Sequence, residues 1–186
     1  MRGASALEGP LCRRAFDSAG RMLVVAAVLF LTPGCAPTGP SIPPTARADR
    51  VVIEKAARRL TLYSNGTVLR RFAVALGRSP EGPKLREGDN RTPEGIYSID
   101  GRNADSRYHR ALHVSYPNAR DRERARAAGV SPGGDIMIHG IRRGFGWLGR
   151  FHRLIDWTHG CIAVTDDEIE EIWRAVPDGT TVEIRP

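Results

Sequence analysis

Lysine is almost missing from this chain. Of its 28 basic residues only Lys55 and Lys84 are lysines, and the formal net charge is +7. A basic surface suits anionic partners such as nucleic acids, lipid headgroups or acidic polymers. Nucleic acid is argued against, because aromatics are few and no basic stretch is interleaved with them as a binding groove needs. The arginines therefore read as a compositional habit. Cysteine is scarce as well, three in 186 residues, and internal repeats are absent. No apolar run is long enough for an ordinary transmembrane helix; the longest, Met22 to Leu31, falls well short of a bilayer span. What remains is the composition of a globular protein.

That short run has the marks of an export signal. Arg13, Arg14 and Arg21 precede it and small residues follow. Thr32-Pro33-Gly34-Cys35 resembles a bacterial lipoprotein cleavage box, which would make Cys35 a lipidated first residue and bring the membrane in as a partner. Plain cleavage nearby would instead leave a soluble exported protein. Residues 1–35 are thus expected to be a signal segment. Residues 36–49, rich in Pro, Thr and Ala, are expected to be a flexible tether. The folded domain is expected over residues 50–186, a common domain size.

Within it the first half reads as β. Residues 51–55 and 59–63 alternate or cluster β-branched and apolar residues. Asn65-Gly66 supplies the positive-φ pair of a tight hairpin, and residues 67–76 return as its partner. Residues 77–90 form a polar loop. Further strands are expected over 95–100, 111–115, 135–139 and 180–184. A helix is expected over 118–128, capped by Asn118 and stopped by Gly129. A second runs over 165–176, with Thr165 and Glu168 spaced as a capping box and Ile169, Ile172, Trp173 and Val176 on one stripe. The expected class is α+β, a mostly β mixed sheet or sandwich core with two flanking helices.

The chemistry concentrates in Asp156-Trp157-Thr158-His159-Gly160-Cys161-Ile162-Ala163. An exported thiol lives in an oxidising compartment, and with Cys35 lipidated or removed Cys161 has no disulfide partner. Such a thiol is either a reactive group or a small buried apolar side chain. Gly160 permits a sharp bend that presents the sulfur, and backbone N–H groups there could face a developing oxyanion. A free thiol is mostly protonated at neutral pH, so an imidazole must take its proton. His139, at the end of an apolar strand before Gly140, and His159, two residues from the sulfur, are both candidates. Residue chemistry alone leaves the choice open.

His139-Gly140 followed downstream by Thr158-His159-Gly160-Cys161 resembles the signature of the L,D-transpeptidase catalytic domain family, also called YkuD. Gly88-Asp89-Asn90-Arg91-Thr92-Pro93-Glu94-Gly95 resembles its Thr-Pro-x-Gly strand entry. Residues 133–140 resemble the approach to its histidine. The likeness spans about residues 50–185. It implies Cys161 as nucleophile and His139 as proton acceptor and donor, with Thr158, His159 and Gly160 lining the oxyanion side. It implies a thioester intermediate on peptidoglycan stem peptides in the bacterial envelope, with no metal or organic cofactor. The form Trp-Thr-x-Gly-Cys-Ile-Ala resembles a branch whose members release as well as form wall linkages, so hydrolysis as a carboxypeptidase or endopeptidase is the alternative outcome.

The stretch 141–154, with three glycines and three aromatics, is expected to form a flap over the cleft. Arg142, Arg143, Trp147 and Tyr116 are the candidate substrate contacts, set against plain surface or packing roles. Two competing functions remain: a zinc hydrolase using His113, His139, His159 and Cys161, which has no usual ligand spacing, and an inert envelope-binding lipoprotein.

Overall fold

The computed structural model describes residues 41–186. The expected signal segment, Cys35 and residues 36–40 lie outside the described residues. The elements, in chain order, are β1 (Arg50–Glu54), β2 (Arg59–Ser64), β3 (Thr67–Ala73), β4 (Gly95–Ser106), β5 (His109–Val114), α1 (Ala119–Ala127), β6 (Met137–His139), a 3-10 helix (Gly146–Leu154), β7 (Ile162–Ala163), α2 (Asp166–Ala175) and β8 (Thr181–Arg185).

The eight strands form one mixed sheet in the order β3-β2-β1-β8-β4-β5-β6-β7. Two neighbours run parallel, β1 with β8 and β6 with β7; the other pairs are antiparallel. The sheet curls until its ends meet. Beyond β3, Ala75 exchanges both backbone hydrogen bonds with Ala163 at 2.9 and 2.8 Å. Edge strands expose unpaired backbone groups, and this stitch removes part of that liability. It also holds the segment around Cys161 from both sides.

Local sequence explains most elements. Asn65 and Gly66 take φ of 48° and 78°, as the tight β2–β3 turn needs. Helix α2 begins at the expected capping box, Thr165 Oγ1 accepting from the Glu168 N–H. Ile169, Ile172 and Val176 are buried in the core and Trp173 packs at its margin. Helix α1 carries no such stripe. It docks through Asp121, which accepts from Tyr97 Oη at 3.0 Å and pairs with Arg124.

One expectation needs correcting. Residues 36–49 are expected to be a flexible tether, yet within the described part, 41–49, Ile42 and Ala48 are core residues. The Ala48 N–H donates to the Ala175 carbonyl at 2.7 Å, and Arg174 donates to the Ile42 carbonyl. The segment closes the open C-terminal end of α2, whose last carbonyls need donors. A composition of Pro, Thr and Ala does not reveal two side chains that seal a helix end.

Candidate active site

Strand β6 carries the imidazole and the turn before β7 carries the thiol. The parallel register sets Ile138 beside Ile162, both fully buried on the core face. Side chains alternate along a strand. Cys161 therefore stands beside Met137, and His139 lies two residues further along the same face. Both residues line one groove of about 410 Å³, together with Arg78, Tyr108, Asp135, Met137, Arg142, Trp157, Thr158 and His159.

His139 is 3% exposed. Its Nδ1 lies 2.7 Å from the Gly140 carbonyl oxygen. Only a protonated nitrogen can bond that oxygen, so Nε2 carries the free lone pair. Tyr108 stacks on the ring at 4.5 Å between centroids, and Trp157 meets it edge-on at 5.8 Å. Burial in this aromatic box pushes the imidazole pKa down to about 4, against a smaller upward pull from the Gly140 carbonyl. Burial also pushes the Cys161 thiol up, against the Met137 N–H that favours thiolate. The thiol donates to the Asp135 carbonyl at 3.4 Å. The resting pair is thus neutral thiol and neutral imidazole.

The turn holding the sulfur is built by Thr158. Its Oγ1 donates to the Cys161 carbonyl at 2.7 Å and accepts the Gly160 N–H at 3.1 Å. Gly160 has φ of 127°, and a Cβ there would stand 2.6 Å from the Arg91 carbonyl oxygen. No other residue satisfies both demands. The Gly160 N–H, expected to face the oxyanion, is committed to Thr158 instead, because that bond closes the turn. His159 lines the same groove as an exposed residue, its Nδ1 2.8 Å from Asn90 Oδ1. His139 is the imidazole enclosed in the aromatic box.

Among the proposed substrate contacts, only Arg142 lines the groove. Arg143 is exposed and pairs with Asp105. Trp147 is 78% exposed and lines no groove of this site. Tyr116 is buried, its hydroxyl donating to the Pro132 carbonyl at 2.9 Å and its ring packing edge-on against Tyr97. A core Tyr needs such a partner for its hydroxyl, and the Val-Ser-Tyr-Pro context gave no sign of it. Tyr108 and Arg78 were missed. The β4–β5 turn brings Tyr108 in, and no local sequence signal marks it. His113, offered as a zinc ligand, bonds Asp100 away from the groove. Among the described residues no group of three or more His, Cys, Asp or Glu has metal-holding geometry.

The L,D-transpeptidase catalytic domain model matches residues 48–184, nearly the whole described chain. The chain belongs to this family. It is 37% identical over 97 residues to a putative L,D-transpeptidase of Escherichia coli, YafK, a stretch covering 51% of this chain and 32% of that protein. The chain thus spans about a third of that relative's length. Among solved structures it is similar to the helical cell shape determining protein Pgp2 of Campylobacter jejuni, with TM-score 0.56, 26% identity, and coverage of 76% of this chain and 48% of that one. It also shares its fold with Bd1075 of Bdellovibrio bacteriovorus, with TM-score 0.53, 20% identity, and coverage of 78% and 50%.

Proposed function

We propose that this protein is a cysteine-dependent L,D-transpeptidase of the bacterial cell envelope acting on peptidoglycan stem peptides. The observation that carries this reading is the shared groove face of Cys161 and His139, with the imidazole Nε2 lone pair free. Membership of the transpeptidase family supports it.

The Cys161 sulfur attacks the carbonyl between the diamino acid's L-centre and the terminal D-alanine. As the S–C bond forms, the thiol proton passes to His139 Nε2 and the carbonyl becomes an oxyanion. Collapse breaks the C–N bond, and His139 returns the proton to the leaving D-alanine amine. The product is a thioester on Cys161. An amine from a neighbouring stem resolves it as a cross-link; water resolves it as a hydrolysed stem. Arg78 and Arg142 at the groove supply cations for the stem's carboxylates. Export fits the basic flank and apolar run of residues 13–31, and lipid attachment at Cys35 would hold the enzyme at the membrane.

Incubation with purified muropeptides and mass spectrometry tests the reading. Wild type should yield cross-linked dimers or D-alanine-free stems, and Cys161→Ala neither. His139→Gln should retain substrate binding but lose about 10²–10⁴-fold in kcat. Products from the Cys161→Ala protein would overturn the proposal.

A further inference from the structure

Beside the catalytic groove lies a second one, of about 320 Å³. The two share Arg142 and Trp157 as a common wall. The second groove is built by the 3-10 helix, and its far side consists of Phe145, Leu148, Phe151 and Ile155. Phe151 is 64% exposed and Ile155 69%. Large apolar groups left facing solvent beside a reactive site point to an occupant.

The floor adds an independent sign. His152 is 6% exposed, and its Nδ1 accepts the Trp157 indole N–H at 3.3 Å. Its Nε2 therefore carries the proton, and that atom has no partner among the described residues. A buried donor without an acceptor is costly, and a ligand carbonyl is the group that would relieve it.

We infer that this groove is a subsite for the N-acetylated glycan of the wall polymer, adjoining the stem-peptide groove. The inference rests on the transpeptidase reading for its substrate. Sugar rings present C–H faces that lie against aromatic side chains such as Phe151 and Trp157. The acetamido group offers its methyl to the apolar wall of Phe145, Leu148, Phe151 and Ile155, and its carbonyl is the acceptor that the buried His152 donor on the groove floor lacks. A second stem peptide fits worse. It brings carboxylates and an ammonium into a wall whose only charge is Arg142, and the attacking amine would face a like charge there. The glycan is also covalently joined to the stem held next door, so one substrate fills both grooves.

The first measurement is independent of turnover. Peptide-free disaccharide repeats, titrated into the Cys161→Ala protein, should shift tryptophan fluorescence, and Phe151→Ala should weaken the shift by roughly tenfold in affinity. The second compares kcat/KM for a disaccharide-tetrapeptide with that for the free tetrapeptide. Wild type should prefer the disaccharide form by about tenfold, and Phe145→Ala and Phe151→Ala should bring the ratio near one. Absence of glycan binding together with an equal ratio in wild type overturns the subsite. So does a result in which these variants change only the share of cross-linked over hydrolysed product, which would assign the groove to the acceptor stem. Failure of turnover on both substrates counts against the transpeptidase reading, and the fluorescence titration then still decides the subsite.

Discussion

Two ionisable side chains, Cys161 and His139, sit in surroundings that oppose charge on either. Burial holds the imidazole down to about 4 and pushes the thiol up. The pair therefore rests neutral, and in the proposed mechanism proton transfer would accompany attack on the carbonyl rather than precede it. The sign for activity follows: His139 can accept a proton wherever pH exceeds its own pKa. The acid limb of kcat/KM should fall near pH 4, well below the ordinary imidazole value near 6.5. Rates measured from pH 4 to 9 on a fixed muropeptide check this, and an acid limb at 6.5 would show that the aromatic box does not shield the ring. The same shift bears on stability. Between about 6.5 and 4 the unfolded chain protonates this histidine while the native one does not, so stability drops as pH falls through that window, by on the order of 1 kcal/mol per pH unit. Residue chemistry left His139 and His159 open as partners for Cys161, and the pairing with His139 came from the resemblance of His139-Gly140 and Thr158-His159-Gly160-Cys161 to the family signature. Tyr108 was not legible, since its contact with His139 comes from a hairpin turn far along the chain.

The turn 158–161 shows how an element sets the Cys161 thiol, the proposed nucleophile. Thr158 is buried, and its single hydroxyl serves both the Gly160 N–H and the Cys161 carbonyl. Thr158→Val keeps the shape and strands both groups, at a cost of about 1–3 kcal/mol each. The expected outcome is a lower melting temperature and a kcat reduced far more than KM is raised, read by thermal melts and steady-state kinetics. An unchanged kcat would mean that the turn holds without the hydroxyl. Elements with local signals were readable in advance: the Asn65-Gly66 hairpin, the α2 capping box and the Asn118 cap of α1. Elements defined by distant partners were not. β7 is two residues long and exists because β6 and the chain after β3 flank it. β4 runs to Ser106, past the expected end at Asp100, because pairing with β5 sustains a polar, exposed extension that shows no apolar alternation. The region expected as a flap is a 3-10 helix that turns at Gly149, where φ is 46°, a change of direction no hydrophobic period encodes.

Over the whole molecule, the rarity of lysine has a structural meaning that composition hid. Both lysines are buried. Lys55 reaches the Glu94 carboxylate at 2.7 Å and the Gly82 carbonyl at 2.6 Å, tying β1 to the loop that precedes β4. Lys84 meets Asp89 at 2.9 Å, and Asp89 in turn accepts the Leu85, Arg86 and Arg91 N–H groups. The polar loop before Asn90 is thus ordered around two internal ammonium groups, and the surface displays guanidinium instead. Guanidinium stays protonated and is no nucleophile. On the proposed reading, a thioester resolved by amines would meet no exposed lysine amine of this chain. An amine-acylating ester should leave Lys55 and Lys84 unmodified in the native protein and modify both after denaturation, as read by peptide mass mapping. Native labelling of either would remove the argument. Lys55→Met should cost about 3–5 kcal/mol by stranding Glu94, whereas Lys55→Met with Glu94→Leu should recover much of it, because a buried pair removed whole leaves no uncompensated charge. If the double variant is no more stable than the single one, the lysine is held for its hydrogen bond to the Gly82 carbonyl rather than for the ion pair.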